Sequence, residues 1–213
     1  MYRTFTGFLF DMDGTLVDST EAVKKTWLDF SQKYNLDFNE VIEFAHGRRT
    51  SETVTHFLGD SPASYRISKF IERKEVHNTD NITAIPGAKK LLNFIHSSHW
   101  TIVTSANKEL AQRRLLAAGL PCPEMIISSE DVKSGKPNPE GYLLGAKLLG
   151  LRIEDILIFE DATAGIIAAL SSGATLGVIG DCDSACNSEW IKIPDFTYIS
   201  IKSTENQYIV STN

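Results

Sequence analysis

Asp11-Met12-Asp13-Gly14-Thr15 places two carboxylates two residues apart, directly after the apolar run Phe8-Leu9-Phe10. On a loop leaving a strand both can face one pocket, and Gly14 permits the tight turn this needs. Charges so close repel, and each raises the other's pKa unless a cation lies between them. A hard divalent ion with oxygen ligands, Mg²⁺, is the natural neutraliser. Glu160-Asp161 closes a second apolar run, Ile156-Leu157-Ile158-Phe159, and supplies further carboxylates. Alone, Asp11 to Gly14 would also read as an acidic turn; a second acid pair at a second strand end weighs against that.

A cation is available in Val132-Lys133-Ser134-Gly135-Lys136-Pro137-Asn138-Pro139. Lys136, bounded by Gly135 and Pro137, can neutralise both a phosphoryl oxygen and a nucleophilic carboxylate. A compact ammonium suits that task better than a forked guanidinium. Lys133 reads as a solvated loop lysine. Thr104 and Ser105 follow Thr101-Ile102-Val103, and the Ser105 hydroxyl with the Ala106 N–H can bind phosphate as turn amides do. Asn107 and Lys108 are lesser candidates for substrate contact. Arg48 and Arg49, in His46-Gly47-Arg48-Arg49-Thr50, offer donors for substrate hydroxyls or phosphate, with a solvated helix start as the alternative for either. None of the five histidines is assigned to catalysis, although His46 could touch substrate.

These residues must be held by something, and the pattern between them says what. Each reactive residue ends a strand-length apolar run, Met125-Ile126-Ile127 before Ser128 included. Helical patterns alternate with the runs: one from Pro86 with Ala88, Leu91, Leu92 and Ile95 on a face, one from Pro139 with Tyr142, Leu143, Ala146 and Leu149, one over Gly165 to Leu170. Alternation of this kind predicts an α/β fold, a mostly parallel sheet with helices on both faces. Ligands bind at the carboxyl ends of such strands, where the reactive residues lie. From Leu16 to Thr83 only helical periodicity is found, with apolar faces Val23/Trp27/Phe30/Tyr34, Val54/Phe57/Leu58 and Ile67/Phe70/Ile71, and a turn at Gly59-Asp60-Ser61-Pro62. The expected domains are a core of residues 1–15 and 84–213 and a helical lid of residues 16–83.

The 213 residues suit a core domain with a smaller insert. A formal net charge of -6 argues against nucleic acid or an anionic membrane as the main partner. Cys122, Cys182 and Cys186 are too few for a disulfide framework and read as reduced cytosolic thiols. No apolar run approaches membrane-span length, and the start lacks a signal peptide's apolar stretch, so a cytoplasmic protein is expected. The sequence leaves the oligomeric state open; a monomer is compatible with it.

The stretches Asp11 to Thr15, Thr104-Ser105, Lys136 in its Gly-Lys-Pro setting, and Glu160-Asp161 resemble, in order, the four motifs of the haloacid dehalogenase superfamily. The likeness spans essentially the whole chain, and the helical insert is similar to the family's first cap type. It implies a Rossmann-like core, Asp11 as nucleophile, Asp13 as general acid and base, and Ser105 and Lys136 holding the phosphoryl group. Mg²⁺ would sit on Asp11, the Asp13 backbone carbonyl and Asp161, with Glu160 bound directly or through water. Within the family the chain is most similar to phosphatases of glycerol phosphate, 2-deoxyglucose phosphate and hexitol phosphate, on His46 to Thr50, Ile102 to Ser105 and Phe159 to Ala162. That subgroup often has Pro where Thr163 stands, a departure affecting only the start of a helix. The implied activity is hydrolysis of a small sugar or polyol phosphate through an aspartyl phosphate. A sugar-phosphate mutase is the second reading and a non-catalytic phospholigand-binding module the third. Dehalogenation is disfavoured, since that chemistry has no use for Asp13.

Overall fold

The computed structural model describes residues 2–180, 190–205 and 207–212; Cys182 and Cys186 lie outside the described residues. Strands β1 (Tyr2–Phe5), β2 (Gly7–Phe10) and β3 (Val17–Asp18) open the chain. Helices α1 (Thr20–Tyr34), α2 (Phe38–Ala45), α3 (Thr50–Leu58) and α4 (Pro62–Val76) precede β4 (Thr83–Ala84). Next come α5 (Ala88–Phe94), β5 (Trp100–Val103), α6 (Lys108–Ala117), β6 (Ile126–Ile127) and α7 (Glu140–Leu149). The chain continues through β7 (Ile156–Glu160), α8 (Thr163–Ser172), β8 (Thr175–Ile179), β9 (Ile191–Ile193), β10 (Ile199–Ser203) and β11 (Tyr208–Thr212).

The main sheet has the order β6-β5-β2-β7-β8-β9, every pairing parallel. Strands β5, β2 and β7 at its centre are buried at every position because both faces are covered. Phe8, Phe10, Leu157 and Phe159 point into one core with Trp100, Leu92 and Phe196, while Leu9, Ile156 and Ile158 point into the other with Tyr142, Ala146 and Ile166. Phe10 and Phe159 stack at 5.5 Å and 8°. Each side chain so buried contributes roughly 1.5–3 kcal/mol. The fold is therefore α/β and Rossmann-like, as expected, with a helical cap.

The cap helices share a core of Trp27, Phe30, Val41, Val54 and Ile71. The cap's two connections to the sheet meet as a short antiparallel ladder, Val17 opposite Ala84 and Asp18 opposite Thr83. Asp37 caps α2 by accepting the Asn39 and Glu40 amides, and Ser61 caps α4 ahead of Pro62.

Several expectations need correction. Phe70 is 62% exposed, because the buried stripe of α4 runs through Ser64, Ser68, Ile71 and Glu75. Leu143 is likewise exposed on α7. Pro86 stands before α5 rather than in its first turn, since Gly87 is the N-cap. Helices α2 and α6, strands β8 and β9, and the antiparallel sheet β1-β11-β10 were not anticipated. No helix among the described residues is long and apolar enough to cross a membrane.

Candidate active site

Parallel register brings the reactive residues to one edge. Phe10 lies opposite both Ile102 and Phe159, and the Asp11 amide extends the ladder to the Phe159 carbonyl at 3.0 Å. Asp11 thus emerges beside Glu160 on one side and beside the Thr104-Ser105 turn on the other. Lys136 arrives from the loop between β6 and α7 and donates from Nζ to Asp11 Oδ1 and, at 2.6 Å, to Glu160 Oε1. Tyr142 Oη donates to the same Glu160 oxygen at 2.5 Å, while Glu160 Oε2 accepts the Asp161 and Ala162 amides at 3.0 and 3.3 Å. Both oxygens of this fully buried glutamate are therefore engaged, two of the donors lying at the N-terminal end of α8.

Burial, then repulsion from Glu160 and Asp161, holds the Asp11 carboxyl well above its ordinary value, with Lys136 opposing. Burial alone would weaken the Lys136 ammonium, but Asp11 and Glu160 outweigh it and keep the cation charged. Burial and Glu160 likewise push the Tyr142 hydroxyl up, so it remains a donor.

Gly165 makes room for this network. A Cβ there would fall 1.8 Å from Glu160 Oε1. Gly165→Ala is expected to push the carboxylate away from Lys136 and Tyr142 and to destabilise the fold by about 2–4 kcal/mol, read from the denaturant midpoint. An unchanged midpoint would mean that α8 shifts freely.

Asp11, Glu160 and Asp161 each offer an oxygen, all within 4.8 Å of one another. Asp161 accepts from Thr15 Oγ1 at 2.9 Å and stands 3.0 Å from His46 Nε2. That hydrogen bond, against burial, raises the His46 pKa. Gly14, at φ +85°, closes this wall of the site: a Cβ would meet Asp161 Oδ2 at 1.9 Å. Three convergent carboxylates against one lysine, all oxygen donors, form a set that fits a hard divalent cation.

A family model described as haloacid dehalogenase-like hydrolase matches residues 8–179. The chain belongs to that family. Hexitol phosphatase A of Escherichia coli (strain K12) is 42% identical over 171 residues, 78% of this chain and 79% of that protein. Glycerol-1-phosphate phosphohydrolase 2 of Saccharomyces cerevisiae is 34% identical over 179 residues, 79% of this chain and 72% of that protein. A hydrolase from Pseudomonas syringae superposes with a TM-score of 0.72 at 27% identity, covering 81% of this chain and 84% of its own. The haloacid dehalogenase-like hydrolase described here is accordingly a phosphatase.

In this hydrolase a cavity of about 540 Å³ lies between cap and sheet, with Asp11 and Asp161 on the core side and Trp27 and Arg48 on the cap side. Asp13 borders it, but its carboxylate turns to Ser19 Oγ (2.6 Å) and Arg114 Nη1 (2.7 Å). Ser105 Oγ donates to the Gly47 carbonyl of the cap at 2.8 Å, and the Ala106 amide donates to Thr104 Oγ1 at 3.1 Å. Thr104, Ser105 and Ala106 all line the cavity.

The two cap arginines separate. Arg48 lines the cavity with its guanidinium 4.6 Å from the Phe44 ring centroid. Arg49 instead donates to the carbonyls of Val132 and Lys133 at 2.9 and 3.1 Å, tying the cap to the loop that carries Lys136. The Asn107 side chain caps α6 by accepting the Leu110 amide at 2.9 Å, and with Lys108 it lines a separate groove. Sequence reasoning missed Arg114 and Glu75, which face the cavity from α6 and α4, and the hydroxyl of Tyr142. A signal existed for the first two: both fall on the buried stripe of their helices.

Proposed function

We propose that the chain is a Mg²⁺-dependent phosphomonoester hydrolase for small sugar or polyol phosphates, working through an aspartyl phosphate on Asp11. The observation that carries this reading is Asp11 and Asp161 on the floor of a cavity roofed by the cap, with Lys136 bridging Asp11 to the buried Glu160 behind them.

Phosphate monoester hydrolysis is among the slowest uncatalysed reactions, needing up to ~10²¹-fold acceleration. A dianionic phosphate repels a carboxylate nucleophile, and Lys136 screens that repulsion. Mg²⁺, held by Asp11, Asp161 and the Asp13 backbone carbonyl, would supply the remaining positive charge when bound. Glu160, with its oxygens taken by Lys136, Tyr142 and two amides, serves to aim Lys136. Asp11 attacks phosphorus in line, and the bond to the leaving oxygen breaks. Protonated Asp13 gives its proton to that oxygen, then takes one from the water that attacks the phosphoaspartate, releasing inorganic phosphate and restoring Asp11. Ser105 and the Ala106 amide hold phosphoryl oxygens once substrate replaces their present partners. The cap, residues 16–83, excludes bulk water and reads the leaving group.

The size of the cavity favours compact esters. The names of the related hexitol and glycerol-1-phosphate enzymes point the same way. Phosphate release should therefore be faster from C3 to C6 polyol and sugar phosphates than from nucleotides or phosphopeptides. An isomerised sugar phosphate in place of free phosphate would instead make the protein a mutase.

Arg48 and Arg49 should respond differently to truncation. Arg48→Ala is expected to lower kcat/KM for a hexitol phosphate by roughly 10- to 100-fold while affecting p-nitrophenyl phosphate much less, because the aryl ester presents no hydroxyls. Arg49→Ala should affect both substrates alike, through the Val132–Lys136 loop. The reverse pattern in a two-substrate assay would exchange their roles.

A further inference from the structure

Glu75 stands on the cavity wall and has no part in the chemistry above. It lies on cap helix α4 with a side chain 7% exposed, and its Oε1 accepts from Arg114 Nη2 at 3.3 Å. The second oxygen, Oε2, has no partner among the described residues and is not sealed from the cavity. Burial raises the Glu75 pKa, with Arg114 opposing. An ionised carboxylate can accept about four hydrogen bonds, and this one has a single donor among the described residues. Arg114 has little charge to spare for substrate, since its Nη1 already lies 2.7 Å from Asp13 Oδ2. Lys24 and Arg48 also line the cavity, and neither forms an ion pair with Glu75 among the described residues.

The neighbours of Glu75 place it along the leaving group. The leaving oxygen of a substrate must come to Asp13, and Glu75 shares a guanidinium with Asp13. The carbon chain beyond that oxygen is then within reach of Glu75 Oε2. An ionised carboxylate only accepts hydrogen bonds, so a hydroxyl can donate to it. A carboxylate or second phosphate on the substrate meets it acceptor to acceptor and charge to charge. Sites built for a hydroxyl discriminate strongly against analogues that lack it.

We propose that Glu75 is a specificity residue, accepting a hydroxyl of the leaving alcohol and rejecting phosphate esters whose leaving group carries a second acid. The substrate class narrows to neutral polyol and sugar monophosphates, against phosphorylated hydroxy acids and bisphosphates. This rests on the reading of the chain as a small-ester phosphatase with Asp13 at the leaving oxygen.

Two matched pairs test it: glycerol 1-phosphate with 3-phosphoglycerate, and sorbitol 6-phosphate with 6-phosphogluconate. Each pair exchanges a terminal CH₂OH for a carboxylate, and p-nitrophenyl phosphate, which has neither group, reports damage to the phosphoryl site. Full-length wild type is expected to favour the alcohol of at least one pair by about 100-fold or more in kcat/KM. Glu75→Gln keeps an acceptor but removes the charge. It should narrow that ratio at least about tenfold, chiefly through KM, after normalisation to the aryl ester. Glu75→Asp keeps the charge but withdraws it by one methylene, and should raise KM for the alcohol several-fold while the acid remains a poor substrate. An unchanged ratio in Glu75→Gln overturns the proposal, as does a wild type that takes alcohol and acid equally or takes neither member of either pair. If Glu75→Gln does not fold, Glu75→Asp decides: a raised KM for the alcohol supports the proposal and an unchanged one overturns it. Failure of the underlying reading is separately visible, because wild type would then release no phosphate from any ester, p-nitrophenyl phosphate included.

Discussion

Asp11→Asn should leave a folded protein that releases no phosphate, with turnover lower on the order of 10⁴-fold or more. The substitution is nearly isosteric and removes a carboxylate whose charge is disfavoured by burial and by Glu160 and Asp161. Lys136 retains Glu160 as counter-ion, so the loss of one partner does not strand it. The melting temperature should therefore move by only a few degrees, on the order of 1 kcal/mol or less. Chelation by EDTA should silence the wild type, and added Mg²⁺ should restore it. Undiminished turnover in EDTA or in the Asn variant would remove both the ion and the nucleophile from the scheme.

Lys136→Met should damage stability and catalysis together. Nothing then separates two buried carboxylates, a loss of about 3–5 kcal/mol, and turnover should fall by roughly 10²–10³ or more. The stability deficit has a definite pH dependence. Asp11 is already held above its ordinary value, and removing Lys136 takes away the attraction that opposes this. A group whose pKa is raised on folding is tolerated while protonated, and that stability is lost as pH rises through the folded value. The deficit should accordingly be smallest at acid pH, grow toward neutrality, and shrink when Mg²⁺ is added. Urea titrations at several pH values, with and without the ion, measure it. A deficit independent of both would show that Lys136 matters through packing.

What could be read from the sequence divides along physical lines. Asp11, Glu160, Asp161 and the Thr104-Ser105 turn were legible because each follows a short apolar run, and residues just past buried parallel strands face the ligand edge. Lys136 was legible from its Gly and Pro neighbours. The partners that hold these groups were not. Tyr142 looked like one more apolar position on α7, although its hydroxyl reaches Glu160. Arg114 and Glu75 sit where Leu110 with Ala111, and Ser68 with Ile71, mark the buried faces of α6 and α4. A charge at such a position predicts a buried counter-ion, but the counter-ion lies on another element, and only tertiary packing names it. Asn107 shows the opposite case: an Asn directly before a helix is first a cap, and here its side chain accepts the Leu110 amide. Arg48 and Arg49 are adjacent in sequence, and only the approach of the Val132–Lys133 carbonyls tells them apart.

The pairings that build the site also dictate when it can exist. Cap helices α3 and α4 meet across a turn of a few residues, whereas Lys136 and Asp11 are 125 positions apart and Thr15 and Asp161 are 146 apart. Closing such long loops costs chain entropy that only the completed sheet returns. As the chain leaves the ribosome, the cap can consolidate early, while β2 waits for β7 before Asp11 has Glu160 beside it. Pulsed hydrogen exchange during refolding should find cap amides protected before those of β2 and β7. Every partly folded species on that route is a lid without an enzyme beneath it.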